Sequence, residues 1–115
     1  LLKRESASVV ALFDEGMWLR QKTSDGHAIL HASEIEMPNW RLRDVMVLFF
    51  DEQDVFSERL DAPTAQLKSG NWLLKDAVLN VPGHALKKSG QAMIPTNLTT
   101  ADIEESFSSP ETMGF

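Results

Sequence analysis

The histidines are the first residues of this 115-residue chain whose spacing suggests chemistry. Asp25, His27 and His31 form a D-x-H-x3-H run. On a strand, His27 and His31 would share a face about 13 Å apart, at about 3.3 Å per residue. One ion cannot hold both with bonds of about 2 Å. A helix would bring them together, but Asp25-Gly26 is a strong hairpin signal and opposes a helix there. The pattern predicts solvated or hydrogen-bonded strand histidines. Asp51, Glu52 and Asp54 lack the alternating ligands and glycine of a calcium loop and predict a solvated turn. Glu104 and Glu105 fall on the polar side of a predicted helix, where neighbouring carboxylates do not make an acid/base dyad. No serine has a nucleophile-elbow context and no glycine-rich phosphate loop occurs. With no cysteine, thiol chemistry, disulfides and thiolate zinc sites are excluded. The chain reads as non-catalytic, with no metal and no cofactor.

Composition narrows the partners. There are 11 basic and 17 acidic residues, a formal net charge of −6. No run of Lys or Arg forms a stripe, which argues against nucleic acid, whose phosphates need clustered cations. The same deficit argues against a polybasic membrane-surface domain. A hydrophobic content of 43% suits one globular domain. No segment approaches the roughly 20 apolar residues of a membrane span. Leu1-Leu2-Lys3-Arg4 reads as the continuation of something before it, and the C-terminal stretch reads as a severed connector.

The elements that must position any site are strands. Gly16–Gln21 has strand composition, Lys22–Gly26 is a turn, and His27–Ser33 returns. Residues 34–39 read as a polar loop. Arg41–Asp51 is the longest apolar strand, with Val45, Val47 and Phe49 on one parity and Met46, Leu48 and Phe50 on the other. A strand apolar on both sides is covered on both faces or lines a cavity. Asp51–Asp54 is a turn. Strands follow at residues 55–62 and 64–67, with a hairpin turn at Lys68–Asn71. Residues 72–81 form another strand, and 84–95 have weak strand character. Residues 6–12 fit either a short helix or an extended lead-in strand. About seven or eight short strands at a spacing of roughly 8–12 residues predict an all-β sandwich, roll or barrel. One helix is expected over about 101–107, capped by Thr99 or Thr100, carrying the Ile103/Phe107 pair and ended by Pro110.

An internal echo adds detail. Trp40-Arg-Leu-Arg-Asp44-Val returns as Trp72-Leu-Leu-Lys-Asp76-Ala. In both copies the parity of apolar residues switches across the Arg/Lys-Asp pair. Such a slip predicts a β-bulge that bends the strand so that both halves face one interior. Trp18, Trp40 and Trp72 fit core positions with the indole N–H paired at an edge, or anchors for a sugar or lipid.

The order Gly16-Met-Trp-Leu-Arg, Ile29-Leu-His-Ala, Leu42-Arg-Asp-Val-Met-Val-Leu-Phe-Phe-Asp51, Glu58-Arg-Leu-Asp-Ala62, Gly70-Asn-Trp-Leu-Leu-Lys-Asp-Ala77, Thr96-Asn-Leu-Thr and Ser106-Phe-Ser-Ser-Pro-Glu-Thr112 resembles the periplasmic domain of the LptF/LptG lipopolysaccharide export permeases, and looks more like LptG. The resemblance covers residues 16–115. It implies a curled β-jellyroll, an open-sided sandwich over 16–98, set between two transmembrane helices of a Gram-negative inner-membrane protein. Residues 1–15 would lead in from the preceding span, and 99–115 would be a helical connector to the next. The implied partners are lipopolysaccharide, an LptF-type permease subunit, the LptC and LptA jellyrolls, and a cytoplasmic LptB-type ATPase that would carry the ATP hydrolysis. Val45, Val47, Phe49, Phe56, Leu60, Leu74, Leu79 and Ile94 are the expected groove-lining residues, with Met46, Leu48 and Phe50 packed by a neighbouring element. Edge strands would template pairing with a partner jellyroll. The alternative from residue types alone is a β-sandwich module that recognises carbohydrate or protein and transports nothing.

Overall fold

The computed structural model describes residues 8–13, 16–36, 39–96 and 99. They form an all-β meander: β1 Ser8–Phe13, β2 Gly16–Thr23, β3 Gly26–Glu36, β4 Arg41–Asp51, β5 Phe56–Lys68, β6 Asn71–Asn80 and β7 Lys87–Pro95. Each strand pairs antiparallel with the next in one open seven-stranded sheet, leaving β1 and β7 as edges. Residues 8–13 are thus a strand, one of the two readings the sequence allowed. No helix occurs among the described residues. The helix expected over 101–107 lies outside them.

The turns follow from local chemistry. Thr23 pairs with Gly26 across Ser24-Asp25, one residue earlier than the Asp-Gly signal implies. Gly26 instead opens β3, where a Cβ would collide with the Phe50 carbonyl oxygen. Lys68 pairs with Asn71 around Ser69 (φ 51°) and Gly70 (φ 80°). Two left-handed central residues match the twist of the flanking strands. In the β4–β5 turn the Asp51 carboxylate accepts from the amides of Gln53 (2.9 Å) and Val55 (3.0 Å). Its lone pairs serve the backbone, so the acidic run is a turn for a structural reason.

The sheet folds over on itself. Buried residues alternate along β4 as Leu42, then Val45 and Val47, skipping two positions at Arg43-Asp44. The same double skip occurs at Ser33-Glu34 in β3, Pro63-Thr64 in β5 and Lys75-Asp76 in β6. Register places Ser33, Asp44, Pro63 and Asp76 side by side, with Gly16 beyond Ser33. These residues form a crease running across the strands. Asp44 (φ 53°) and Asp76 (φ 56°) take the left-handed conformation there, which aspartate tolerates better than most side chains. Ser33 Oγ donates to Asp44 Oδ2 at 3.0 Å, tying neighbouring strands at the bend.

This corrects the expected bulge at the first echo. Arg43↔Thr64 and Val45↔Ala62 keep one register across Asp44, as do Glu34↔Arg43 and Ala32↔Val45. No extra residue is inserted, because every neighbour bends at the same level. At the second echo the β6–β7 pairing does shift register, between Leu74 and Val78. Two other expectations change for the same reason. Pro63 needs no strand break, since the ladder already skips a position at the crease, so β5 runs unbroken from Phe56 to Lys68. The loop expected at 34–39 begins later, because Glu34 and Glu36 pair with Arg43 and Arg41 on the far side of the crease. Glu36 also accepts from Arg43 Nη1 at 2.8 Å.

The two arms meet face to face. Gln21 on β2 donates from Nε2 to the Pro95 carbonyl on β7 at 2.8 Å. In a flat sheet those strands would be about 24 Å apart, at about 4.8 Å per strand. Packing between the arms is graded. Beside the crease one arm presents Met17, Ala32, Val45 and Ala62 in a paired row. Farther out come Leu19, Leu30, Val47, Leu60 and Leu79, then Gln21, Ala28, Phe49 and Glu58. The other arm presents Ile35, Leu42, Ala65, Leu74 and Ala92, then Leu67, Trp72 and Ile94. Alanines concentrate in the rows beside the fold line and larger side chains stand farther out, as a wedge requires for close packing.

The crease predicts a graded response at Asp76. Asp76→Val should cost about 1–2 kcal/mol, since β-branched residues resist the left-handed region. Asp76→Gly should change stability by less than about 1 kcal/mol. Urea denaturation followed by tryptophan fluorescence reads both.

Candidate functional site

The wedge opens at one end. Between the tips of the arms lies a recess of about 750 Å³. Its walls come from the β2–β3 hairpin (Lys22, Thr23, Ser24, Asp25), the end of β4 (Phe49, Phe50, Asp51), the start of β5 (Ser57, Glu58, Leu60) and the end of β7 (Met93, Ile94, Pro95). The floor is apolar, because Phe49, Leu60 and Ile94 belong to the interior rows or pack against them. Met93 stands 62% exposed. Among the charged lining residues, Asp25, Asp51 and Glu58 outnumber Lys22.

The sequence-expected lining residues divide into four groups. Val45, Val47 and Leu74 are deep in the interior and packed against other side chains. Leu60 and Ile94 are buried and line the recess together with the partly buried Phe49, while Leu79 is partly buried against the core away from it. Phe56 is on the other face. The register slips between Phe49↔Glu58 and Phe50↔Phe56, which carries Phe56 out of the parity of Glu58 and Leu60. Its ring meets Phe50 edge-on at 6.0 Å. The alternation of Met17 and Leu19 was the signal for a further inward strand. Met93 carried no such signal, because β7 is weakly patterned.

The outer face has its own organisation. His27 stacks on Phe50 (4.8 Å between centroids, 7° between planes), and its Nδ1 lies 3.5 Å from Asp54 Oδ1. His31 tilts against Trp18 at 4.4 Å. The two imidazoles share a strand face, as their spacing required, and each is held by a different aromatic. Arg59 donates through Nε and Nη2 to the two Asp61 carboxylate oxygens at 2.8 and 3.0 Å. That bond, then the Asp61 charge, raises the guanidinium pKa. Trp40 and Trp72 are core residues, whereas Trp18 is half-buried on this outer face with Ile29, Met46 and Leu48.

The arrangement suits binding. The recess combines an apolar floor and a carboxylate-bearing rim, so it can take a hydrocarbon chain and would keep an anionic group in solvent. Each buried CH₂ would contribute about 0.8 kcal/mol. No family model matches the chain, and no curated protein matches it.

Truncations should separate core from face. Leu74→Ala should cost about 2–5 kcal/mol by opening a cavity in filled interior. Phe56→Ala should cost less than about 1.5 kcal/mol, because its ring is largely outside that interior. Chemical denaturation of the two variants checks the difference.

Proposed function

We propose that this domain guides lipopolysaccharide, and that the creased sheet is a β-jellyroll of the LptF/LptG permease kind, closer to LptG. The observation that carries this reading is the apolar floor of the recess, where Phe49, Leu60 and Ile94 belong to the same apolar cluster as the interior rows of both arms. Acyl chains would enter between the arm tips against Phe49, Leu60 and Ile94. The anionic sugar would stay beyond the rim, where Asp25, Asp51 and Glu58 disfavour it. Val45, Val47, Leu74 and Leu79 would line the path only if the arms part. The work is binding and orientation, with no bond chemistry in this domain. ATP hydrolysis would belong to a cytoplasmic LptB-type subunit, and onward transfer to the LptC and LptA jellyrolls. In this reading the domain is periplasmic, residues 1–15 arrive from one membrane span, and 99–115 form the helical connector to the next. The resemblance of the ordered run of residues to those permeases supports this reading.

A second reading, a recognition module for protein or carbohydrate, draws support from the outer face. Trp18, His31 and Met46 stand side by side there, half-exposed and outside the core.

Two exposed apolar residues separate the readings. Met93 lines the recess, while Leu86, 67% exposed, does not. In the membrane-embedded parent protein, Met93→Asp should reduce co-purified lipopolysaccharide at least about threefold, because an anion would stand where acyl chains pass. Leu86→Asp should leave it unchanged. Equal yields from both variants would contradict the groove reading.

A further inference from the structure

The outer face of the arm that bears the β2–β3 hairpin is apolar and cationic. Next to the row of Trp18, His31 and Met46, register sets Arg20 beside Ile29 and Leu48, and Lys22 beside His27 and Phe50. None of these outward positions is a carboxylate, in a chain with 17 acidic and 11 basic residues. Asp61, the next residue along the Trp18 row, is held by Arg59. Arg20 and Lys22 are exposed, and neither forms an ion pair with a described residue. Ile29, Met46, Leu48 and Phe50 are only half-buried. Among the described residues no strand packs over them, since all seven strands lie in one sheet whose arms face inward. A strand apolar on both faces calls for a cover on the second.

The last residues of the chain have the complementary chemistry. Residues 100–115 include Asp102, Glu104, Glu105 and Glu111, with no Lys or Arg, and large apolar side chains at Ile103, Phe107, Met113 and Phe115. The point of departure is also close. Gln21, which stands between Arg20 and Lys22 on β2, donates to the Pro95 carbonyl at the end of β7 at 2.8 Å. A segment of this length spans up to about 50 Å, at about 3.3 Å per residue, which is ample for rounding the β2–β3 hairpin. The recess is nearer, but Asp25, Asp51 and Glu58 on its walls repel an acidic segment.

We propose that residues 100–115 pack across this outer face, with their carboxylates toward Arg20 and Lys22 and their apolar side chains on Ile29, Met46, Leu48 and Phe50. The contact leaves the recess open and closes the outer face to other partners. It does not depend on what the recess binds.

Thiol pairing in the full chain tests this, since the chain has no cysteine of its own. Ser106→Cys is combined in turn with Leu48→Cys on this face, Met93→Cys at the recess and Lys75→Cys on the outer side of the other arm. Met93 and Lys75 are exposed and Leu48 is half-buried, so accessibility alone favours the two controls. In dilute protein under mild oxidation, the Leu48 pair should close an intramolecular disulfide about tenfold faster than either control, because docking raises the effective concentration of the two thiols. Adding Arg20→Glu and Lys22→Glu should slow that closure at least about threefold, and so should about 1 M salt. Met46→Cys serves in place of Leu48→Cys if that variant does not fold. Equal rates at all three positions, or fastest closure at Met93, would overturn the proposal. A Leu48 rate indifferent to both charge reversal and salt would overturn it as well. If the Leu48 pair is no faster than the controls while phosphatidylglycerol vesicles bind the chain through Arg20 and Lys22, the face belongs to a lipid surface and the proposal fails.

Discussion

The structure depends on one constraint, that every strand crossing the fold line must lose a step of alternation at the same level. If one strand slipped alone, its far half would turn polar residues inward and unpair from its neighbours. Asp44 and Asp76 absorb the change through left-handed backbone, and Pro63 sits between them where the ladder skips a position. The cost of two strained residues, about 1–2 kcal/mol each, is small against the apolar burial it permits. Leu19, Leu42, Val47, Trp72 and Leu74 are all nearly solvent-free, and each such aliphatic side chain contributes about 1.5–3 kcal/mol.

The crease also creates the recess. Arms that diverge from a line close tightly where alanines face each other and gape where the rows end. Among the described residues, nothing beyond the rows that begin at Gln21 and end at Ile94 fills the opening, and a recess lies there. Fold and recess have a common cause. The edge strands β1 and β7 are a separate consequence of a meander that does not close.

Much of this was legible in the residues. The all-β class followed from turn spacing, and the echo of Trp40–Asp44 in Trp72–Asp76 marked both bends. What could not be read was their collective nature. Ser33-Glu34 and Pro63-Thr64 carry the same slip without the Trp-x-Leu signature, because Ala32, Ala62 and Ala65 give a faint apolar pattern. A bulge and a crease look alike in a single strand, since both shift parity, and only the register of neighbours tells them apart. Phe56 was misplaced for the related reason that alternation from Leu60 backwards does not reveal the register slip opposite Phe49. The recess was half legible. Phe49, Leu60 and Ile94 stood out as large apolar residues, whereas Gln21, a polar residue facing inward, broke the pattern that marks an interior.

The central claim is that the inner face at the open end, and not the outer face, meets acyl chains. Site-specific photocrosslinking in the full-length membrane protein tests it most directly, with probes at Phe49 and Leu60 on the inner face and at Leu48 and Phe50 on the outer parity. The account predicts lipopolysaccharide adducts at Phe49 and Leu60 that depend on ATP, with none above background at Leu48. Phe50, at the lip of the recess, should give an intermediate yield. Adducts of equal yield on both parities, or none on either in a folded and assembled protein, would contradict it.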